Sequence, residues 1–183
     1  LTDYNLLVSC KWRESRECRR EILSLLKELG DLNPQIRPTV ARGIVGVKTA
    51  LNPVEAVYRL KDLFKVNPEK FVYAQKIVPV LNWCEADGDS MKEVVNKIKS
   101  EIKPGEKWRI EIEKRRYTKY HKIEIIKILA ELIKEKVDLR KPDKILRIDI
   151  IGNRAGISVL KPTEIFSIVK AKWLAGRGRS ELS

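Results

Sequence analysis

The sequence predicts an α+β protein of two small domains. Three observations carry this reading. Apolar runs of strand length alternate with helical stripes, the order strand, helix, strand, strand, helix occupies residues 1–67, and Asn67 and Pro68 then interrupt the chain before a second set of elements begins.

Residues 4–9 (YNLLVS) read as a buried strand. Over residues 14–29, Cys18, Ile22, Leu25, Leu26 and Leu29 recur at helical spacing, and Gly30 stands where a left-handed cap ends a helix. Residues 35–40 and 44–50, joined around Arg42 and Gly43, read as a hairpin. Asn52 caps a helix opened by Pro53, with Val54, Val57, Leu60, Leu63 and Phe64 facing inward. This order suits a ferredoxin-like unit over residues 1–67.

In the second domain, residues 71–81 hold a strand that Pro79 confines to an edge or an end. Residues 83–89 read as a polar connection, and residues 90–102 as a helix burying Met91, Val94, Val95, Ile98 and Ile102 that stops before Pro104 and Gly105. The alternation WRIEIE at residues 108–113 turns Trp108, Ile110 and Ile112 inward and Arg109, Glu111 and Glu113 outward. A long helix is expected over residues 119–134, with Ile123, Ile126, Leu129, Ala130 and Ile133 as its stripe. Strands at residues 145–151 and 156–160 flank a hairpin loop. Thr163 begins a last helix ending near Leu174. Residues 68–175 make the second domain, and residues 176–183, with Gly176, Arg177, Gly178 and Arg179, a mobile basic tail.

Composition narrows the function. With 183 residues and 43% hydrophobic content the chain can fill real cores, which excludes disorder. Lys and Arg number 38 against 25 Asp and Glu, a formal charge of +13 that attracts polyanions. No apolar run reaches the roughly 18 residues needed to span a bilayer, and the first residues lack the layout of a signal peptide, so a soluble cytoplasmic protein without membrane partners is expected. Cys10, Cys18 and Cys84 lack CxxC spacing and with His121 form only a scattered set of four, so no metal is expected. There is no GxGxxG, Walker loop or GxSxG, and His121 lies in a strongly basic segment. Glu111 and Glu113 share a strand face flanked by Arg109 and Arg115, which neutralise them rather than tune them for acid–base work. No catalytic residue, cofactor or small-molecule substrate is expected.

Residues 107–122 carry seven basic side chains, Lys107, Arg109, Lys114, Arg115, Arg116, Lys119 and Lys122, against Glu111 and Glu113. Their dense part, KRRYTKYHK, falls between a strand end and a helix start, where backbone amides also favour phosphate. Tyr117, Tyr120 and His121 interleave flat rings on which an unpaired base can stack. A solvated charged loop is the bland alternative; the coincidence of charge, rings and a helix terminus favours RNA.

Four segments carry a family resemblance: KIVPV at residues 76–80, WRIEIEKRR at 108–116, KVDLRKPDK at 136–144 and LRIDIIGNRAGISVL at 146–160. From about Phe71 to Leu174 the chain resembles a THUMP domain, an RNA-binding module of several tRNA-modifying enzymes. Val137 and Leu139 are expected to close its core while Asp138 and the turn at Lys141, Pro142 and Asp143 direct the chain into the hairpin. Of the small hydroxyl residues the family usually places before the helix that follows the basic strand end, only Thr118 is matched.

The whole layout resembles the stand-alone THUMP proteins that assist an RNA cytidine acetyltransferase in making acetylcytidine in tRNA. That resemblance implies a non-catalytic adaptor whose partners are tRNA and an acetyltransferase acting in trans, with recognition of the single-stranded acceptor end. Lys76, Arg109, Lys114, Arg115, Arg116, Lys119 and Lys122 are expected on phosphates, Tyr117 and Tyr120 on bases, and Arg154 as a weaker contact. Arg13, Arg16, Arg20, Arg37 and Arg42 offer a second basic surface. The alternatives are an RNA-binding piece of a larger THUMP-containing methyltransferase or thiolation enzyme, and a structural protein of ribosomal RNA.

Overall fold

The structure, a computed structural model, describes residues 3–180. In chain order the elements are β1 (Leu6–Ser9), α1 (Ser15–Glu28), β2 (Gln35–Pro38), β3 (Ile44–Lys48), α2 (Pro53–Val66) and β4 (Lys76–Pro79). They continue with β5 (Asn82–Glu85), α3 (Gly88–Ile98), β6 (Trp108–Arg115), α4 (Lys122–Ala130), β7 (Lys144–Ile151), β8 (Arg154–Leu160), β9 (Phe166–Ser167) and α5 (Ile168–Ser180).

The chain divides into two compact units, one made of Tyr4–Pro79 with the described part of Glu164–Ser183, the other of Val80–Thr163. The boundary expected at residues 67 and 68 therefore falls after Pro79, and the C-terminal segment expected in the second domain returns to the first. Strand pairing is the reason. β4 lies antiparallel to β1, with Leu6 opposite Pro79 and Val8 opposite Ile77, and β9 pairs with the start of β4, giving the sheet order β2-β3-β1-β4-β9. Pro79 sits at the end of β4, as its missing N–H requires.

Asn67 and Pro68, which read as a boundary, only turn the chain. Phe71 then enters the same core as Phe64 of α2 and Phe166 of β9, the three rings meeting edge to face at centroid distances of 5.4, 5.7 and 6.0 Å. The Glu21 carboxylate of α1 accepts the N–H groups of Val72, Tyr73 and Ala74 at 2.6 to 3.1 Å and fixes the approach to β4. The predicted helix caps hold: Asn52 Oδ1 accepts the Glu55 N–H at 3.1 Å, and α1 buries Cys18, Ile22, Leu25 and Leu26. The final helix starts at Ile168 rather than Thr163, because residues 166 and 167 are claimed by β4. It runs through Ser180, so the tail expected to be mobile from Gly176 is helical that far; residues 181–183 lie outside the described residues.

The second unit is a four-stranded sheet of order β5-β8-β7-β6 in which β6 and β7 run parallel and the other pairs antiparallel. One face packs Met91, Val95 and Ile98 of α3 and Ile125 and Leu129 of α4 against Leu146, Ile148, Ile150, Ala155 and Ile157. Residues 83–85, read as a connection, belong to β5, and Trp83 stands opposite Gly156 of β8. α4 is shorter than expected, and its buried pair is Ile125 and Leu129; Ile123 and Ile126 are exposed. The segment is apolar on several sides, so periodicity alone cannot select the face, and packing into the core of the second unit does. Val137 and Leu139 are likewise exposed rather than core-closing, while the Asp138 carboxylate accepts the N–H groups of Arg140 and Lys141 at 2.9 and 3.0 Å and makes the expected turn. The β7–β8 hairpin turns on Gly152 and Asn153, with Gly152 at φ 61°, the left-handed conformation such a two-residue turn needs.

On the other face of this sheet, alternate residues of β6 and β7 carry charge. Arg147 of β7 is buried and holds Asp149 through two bonds of 2.9 Å, while Glu111 of β6 accepts from Arg147 at 3.3 Å and from Arg109. Burial works against the Arg147 charge, but the carboxylates of Asp149, Glu111 and Glu113 together outweigh it and hold the guanidinium above its ordinary pKa.

Candidate nucleic-acid interface

The basic turn is built where β6 ends. Arg115 is the last strand residue, and its carbonyl accepts the Gly152 N–H at 2.9 Å, joining the turn to the β7–β8 hairpin. Arg116 follows at φ 58°, the one non-glycine residue with positive φ among those described. An L side chain is disfavoured there by roughly 1–2 kcal/mol, so the surroundings must enforce it. Tyr117 supplies part of that enforcement: its hydroxyl donates to the Ala86 carbonyl at 2.7 Å, and its half-buried ring packs on the helix-side core. Burial, then Tyr120 and Asp87, push its phenol above the ordinary tyrosine pKa, so it stays a neutral donor.

Lys114 closes the turn from below, its ammonium donating to the Tyr120 carbonyl at 2.9 Å. His121 is the residue before α4, and its N–H donates to Glu124 at 3.3 Å. Lys119 sits 5.6 Å from the Tyr120 ring centroid. Lys122 is loosely paired with Glu113 at 3.9 Å, the exposed kind of ion pair worth under about 1 kcal/mol.

Beside the turn is a surface cavity of about 450 Å³ lined by Glu85, Ala86, Asp87, Arg116, Tyr117, Thr118, Lys119, Gly152 and Asn153. Asp87 is committed to capping α3, accepting from the Ser90 N–H at 2.8 Å and its hydroxyl at 2.9 Å. These bonds, the backbone one first, hold its carboxyl below the ordinary pKa, with a further pull from Lys119. Glu85 is bound to Arg154 at 2.8 Å. The two nearby carboxylates are thus already engaged, and Arg116 and Lys119 are left exposed at the rim.

The structure therefore gathers Lys114, Arg115, Arg116, Tyr117, Lys119, Tyr120 and Lys122 in one turn, with Arg154 at its edge. Two expected residues lie elsewhere. Lys76 is in β4 of the other unit, and Arg109 stands six residues before Arg115 on β6, roughly 20 Å along the strand, bonded to Glu111 and to the Leu139 carbonyl at 2.9 Å. Sequence reading missed Glu85, Ala86, Asp87, Gly152 and Asn153 as walls of the cavity; only the Asp87-to-Ser90 capping spacing could have pointed to one of them.

Among the described residues no three or more His, Cys, Asp or Glu side chains are grouped to hold a metal, and no helix is long and apolar enough to cross a membrane. Cys10 and Cys18 are buried in the first unit and Cys84 is half-buried in the second, where burial pushes its thiol up to about 11.

Residues 85–160 match the THUMP domain family. An uncharacterized protein of Methanocaldococcus jannaschii is 24% identical over 156 residues, covering 82% of this chain and 40% of the relative. The crystal structure of PH1313 from Pyrococcus horikoshii is similar with a TM-score of 0.59 and 21% identity, over 86% of this chain and 55% of that one. A 4-thiouridine synthetase crystallised as an RNA complex with bound ATP is similar with a TM-score of 0.51 and 15% identity, over 90% of this chain and 42% of that one. The chain thus spans 40% to 55% of the length of these three proteins.

Proposed function

With residues 85–160 forming a THUMP domain, we propose that this chain is a tRNA-binding unit that carries no catalytic site of its own and presents tRNA to an RNA cytidine acetyltransferase acting in trans. One observation carries the RNA reading most: exposed Arg116 and Lys119 are held by a tethered turn, in an enforced backbone conformation, beside a cavity whose carboxylates are already paired. Such pre-organised cations suit phosphates of an unpaired strand, with the accessible side of the half-buried Tyr120 ring available to a base. Arg116, Lys119 and Lys122 are the leading phosphate contacts; Lys114 and Tyr117 act by shaping the turn.

A second reading places the same domain in a larger modification enzyme. The length of the relatives favours it, since this chain spans 40% of one and 42% of a thiouridine synthetase that holds RNA. One experiment separates the two. Purified protein with tRNA and acetyl-CoA should make no acetylcytidine until the acetyltransferase is added. Stimulation by the chain supports the adaptor, and tRNA binding without stimulation supports the larger-enzyme reading. Failure to bind tRNA overturns both.

A further inference from the structure

The first unit brings together a ring and two guanidiniums that stand about 30 residues apart in sequence. Trp12 opens a single 3-10 turn between β1 and α1, and its side chain is 54% exposed. The guanidinium carbon of Arg13 lies 5.0 Å from the Trp12 ring centroid and that of Arg42, from the β2–β3 turn, 5.4 Å. A surface cation over an aromatic ring is ordinary, at about one per 70–80 residues. Two from separate elements on one exposed indole are not.

The arrangement is fixed by backbone rather than by the side chains themselves. The Cys10 N–H donates to the Gly43 carbonyl at 2.9 Å, and Thr39 bonds the Ile44 carbonyl through both its N–H, at 3.2 Å, and its hydroxyl, at 2.8 Å. Gly43 has φ +78°, and a Cβ there would stand 2.7 Å from the Cys10 carbonyl oxygen, so glycine is needed for the approach that carries Arg42 to Trp12.

With both guanidiniums beside it, Trp12 still keeps 54% of its surface open to solvent. Arg13 and Arg42 beside it are exposed, as are Lys11 and Arg16 nearby in the chain, while Glu14 and Glu17 are half-buried. A flat π-face flanked by cations is what a base and its two adjoining phosphates require. We infer that Trp12, Arg13 and Arg42 form a second contact for single-stranded RNA, the base stacking on Trp12 and the guanidiniums taking the phosphates on either side. The inference rests on the RNA-binding reading of the chain but not on the turn at Arg116.

The test uses the full chain with a tRNA transcript and an eight-nucleotide single-stranded RNA as probes. Trp12→Ala should weaken binding by roughly 5- to 150-fold with an unchanged salt slope, and Trp12→Phe should retain most of the affinity. The double variant Arg13→Ala, Arg42→Ala should flatten the dependence of log affinity on log salt by about 1.4, from roughly 0.7 per contact. All three should melt like the parent, since these side chains are exposed. If the parent binds RNA and Arg116→Gly weakens that binding, but the Trp12 and arginine variants bind both probes as the parent does at every salt concentration, the second contact is overturned and the cluster is left to a protein partner. If the parent binds neither probe, this inference and the proposed function fall together.

Discussion

Tyr117 donates its hydroxyl to the carbonyl of Ala86, the residue just before the Asp87 cap of α3, at 2.7 Å. The bond ties the basic turn to the start of a helix in the same unit, so the shape of the turn depends on a tyrosine that the sequence offered as a stacking platform. Tyr117→Phe should lower stability by about 0.5–1.5 kcal/mol and weaken tRNA binding by a small factor without altering its salt slope. Wild-type melting temperature and affinity in that variant would show that the hydroxyl positions nothing.

Arg116 should reveal a trade between stability and binding. Replacing it by Gly relieves the positive φ, worth roughly 1–2 kcal/mol, at an unfolded-state entropy cost of about 0.5–1 kcal/mol. The variant should therefore be as stable as the parent or slightly more so, while its affinity for tRNA falls and its salt slope flattens by about 0.7. Thermal melts and binding isotherms at several salt concentrations check both halves; unchanged affinity and slope would remove Arg116 from the interface.

Asp87 gives the fold a pH dependence of known sign. Its carboxyl is held below the ordinary carboxylate pKa by the Ser90 N–H and hydroxyl. The stabilisation is therefore complete above the ordinary value of 3.8 and is lost as pH falls through the depressed folded-state value. Asp87→Asn, which keeps a capping acceptor, should show a shallower fall in melting temperature below pH 4 than the parent. Parallel acid profiles for the two proteins would count against this role.

Arg147 and Asp149 should behave as a buried unit. Arg147→Met leaves the Asp149 carboxylate buried and without its bidentate partner, and should cost about 3–5 kcal/mol. Adding Asp149→Leu should recover much of that loss, because two apolar side chains can replace a buried pair. Urea unfolding of the single and double variants measures the coupling, and additive effects would show that the pair acts independently.

Cutting the chain should succeed only where strands allow it. A fragment of residues 80–163 contains all four strands of the second sheet and should unfold cooperatively. Residues 1–67 lack β4 and β9 as well as Phe71 and Phe166, and should not give a cooperative transition. A folded 1–67 fragment would show that the phenylalanine cluster is dispensable.

Local features were legible in the sequence because they depend on neighbours within a turn or two. The Asn52 cap with Pro53, the apolar face of α1, the alternation of β6 and the β7–β8 hairpin all stand where capping chemistry and periodicity put them. So did the crowding of cations between Lys114 and Lys122, since charge and chain proximity need no fold to coincide. Around α4 periodicity placed Leu129 and Ile133 correctly in the core, but isoleucines on several sides left the rest of the face open, and tertiary packing chose Ile125 over Ile123 and Ile126.

What only the tertiary structure decided was pairing at long range. β4 and β9 joined the first sheet because the edge of β1 and the core around Phe64 could bury them, an outcome that Asn67 and Pro68 disguised as a boundary. The same distinction separates the arginines. Arg109 meets Glu111 two residues along its own strand, as the sequence allows, but Arg154 is taken by Glu85 and Arg42 is carried to Trp12 by a glycine turn. The sequence by itself determined that this chain is basic, α+β and rich in candidate phosphate contacts. Which of those cations stay exposed was decided by the partners that folding placed beside them, because a charge's availability depends on its nearest opposite charge in space and not along the chain.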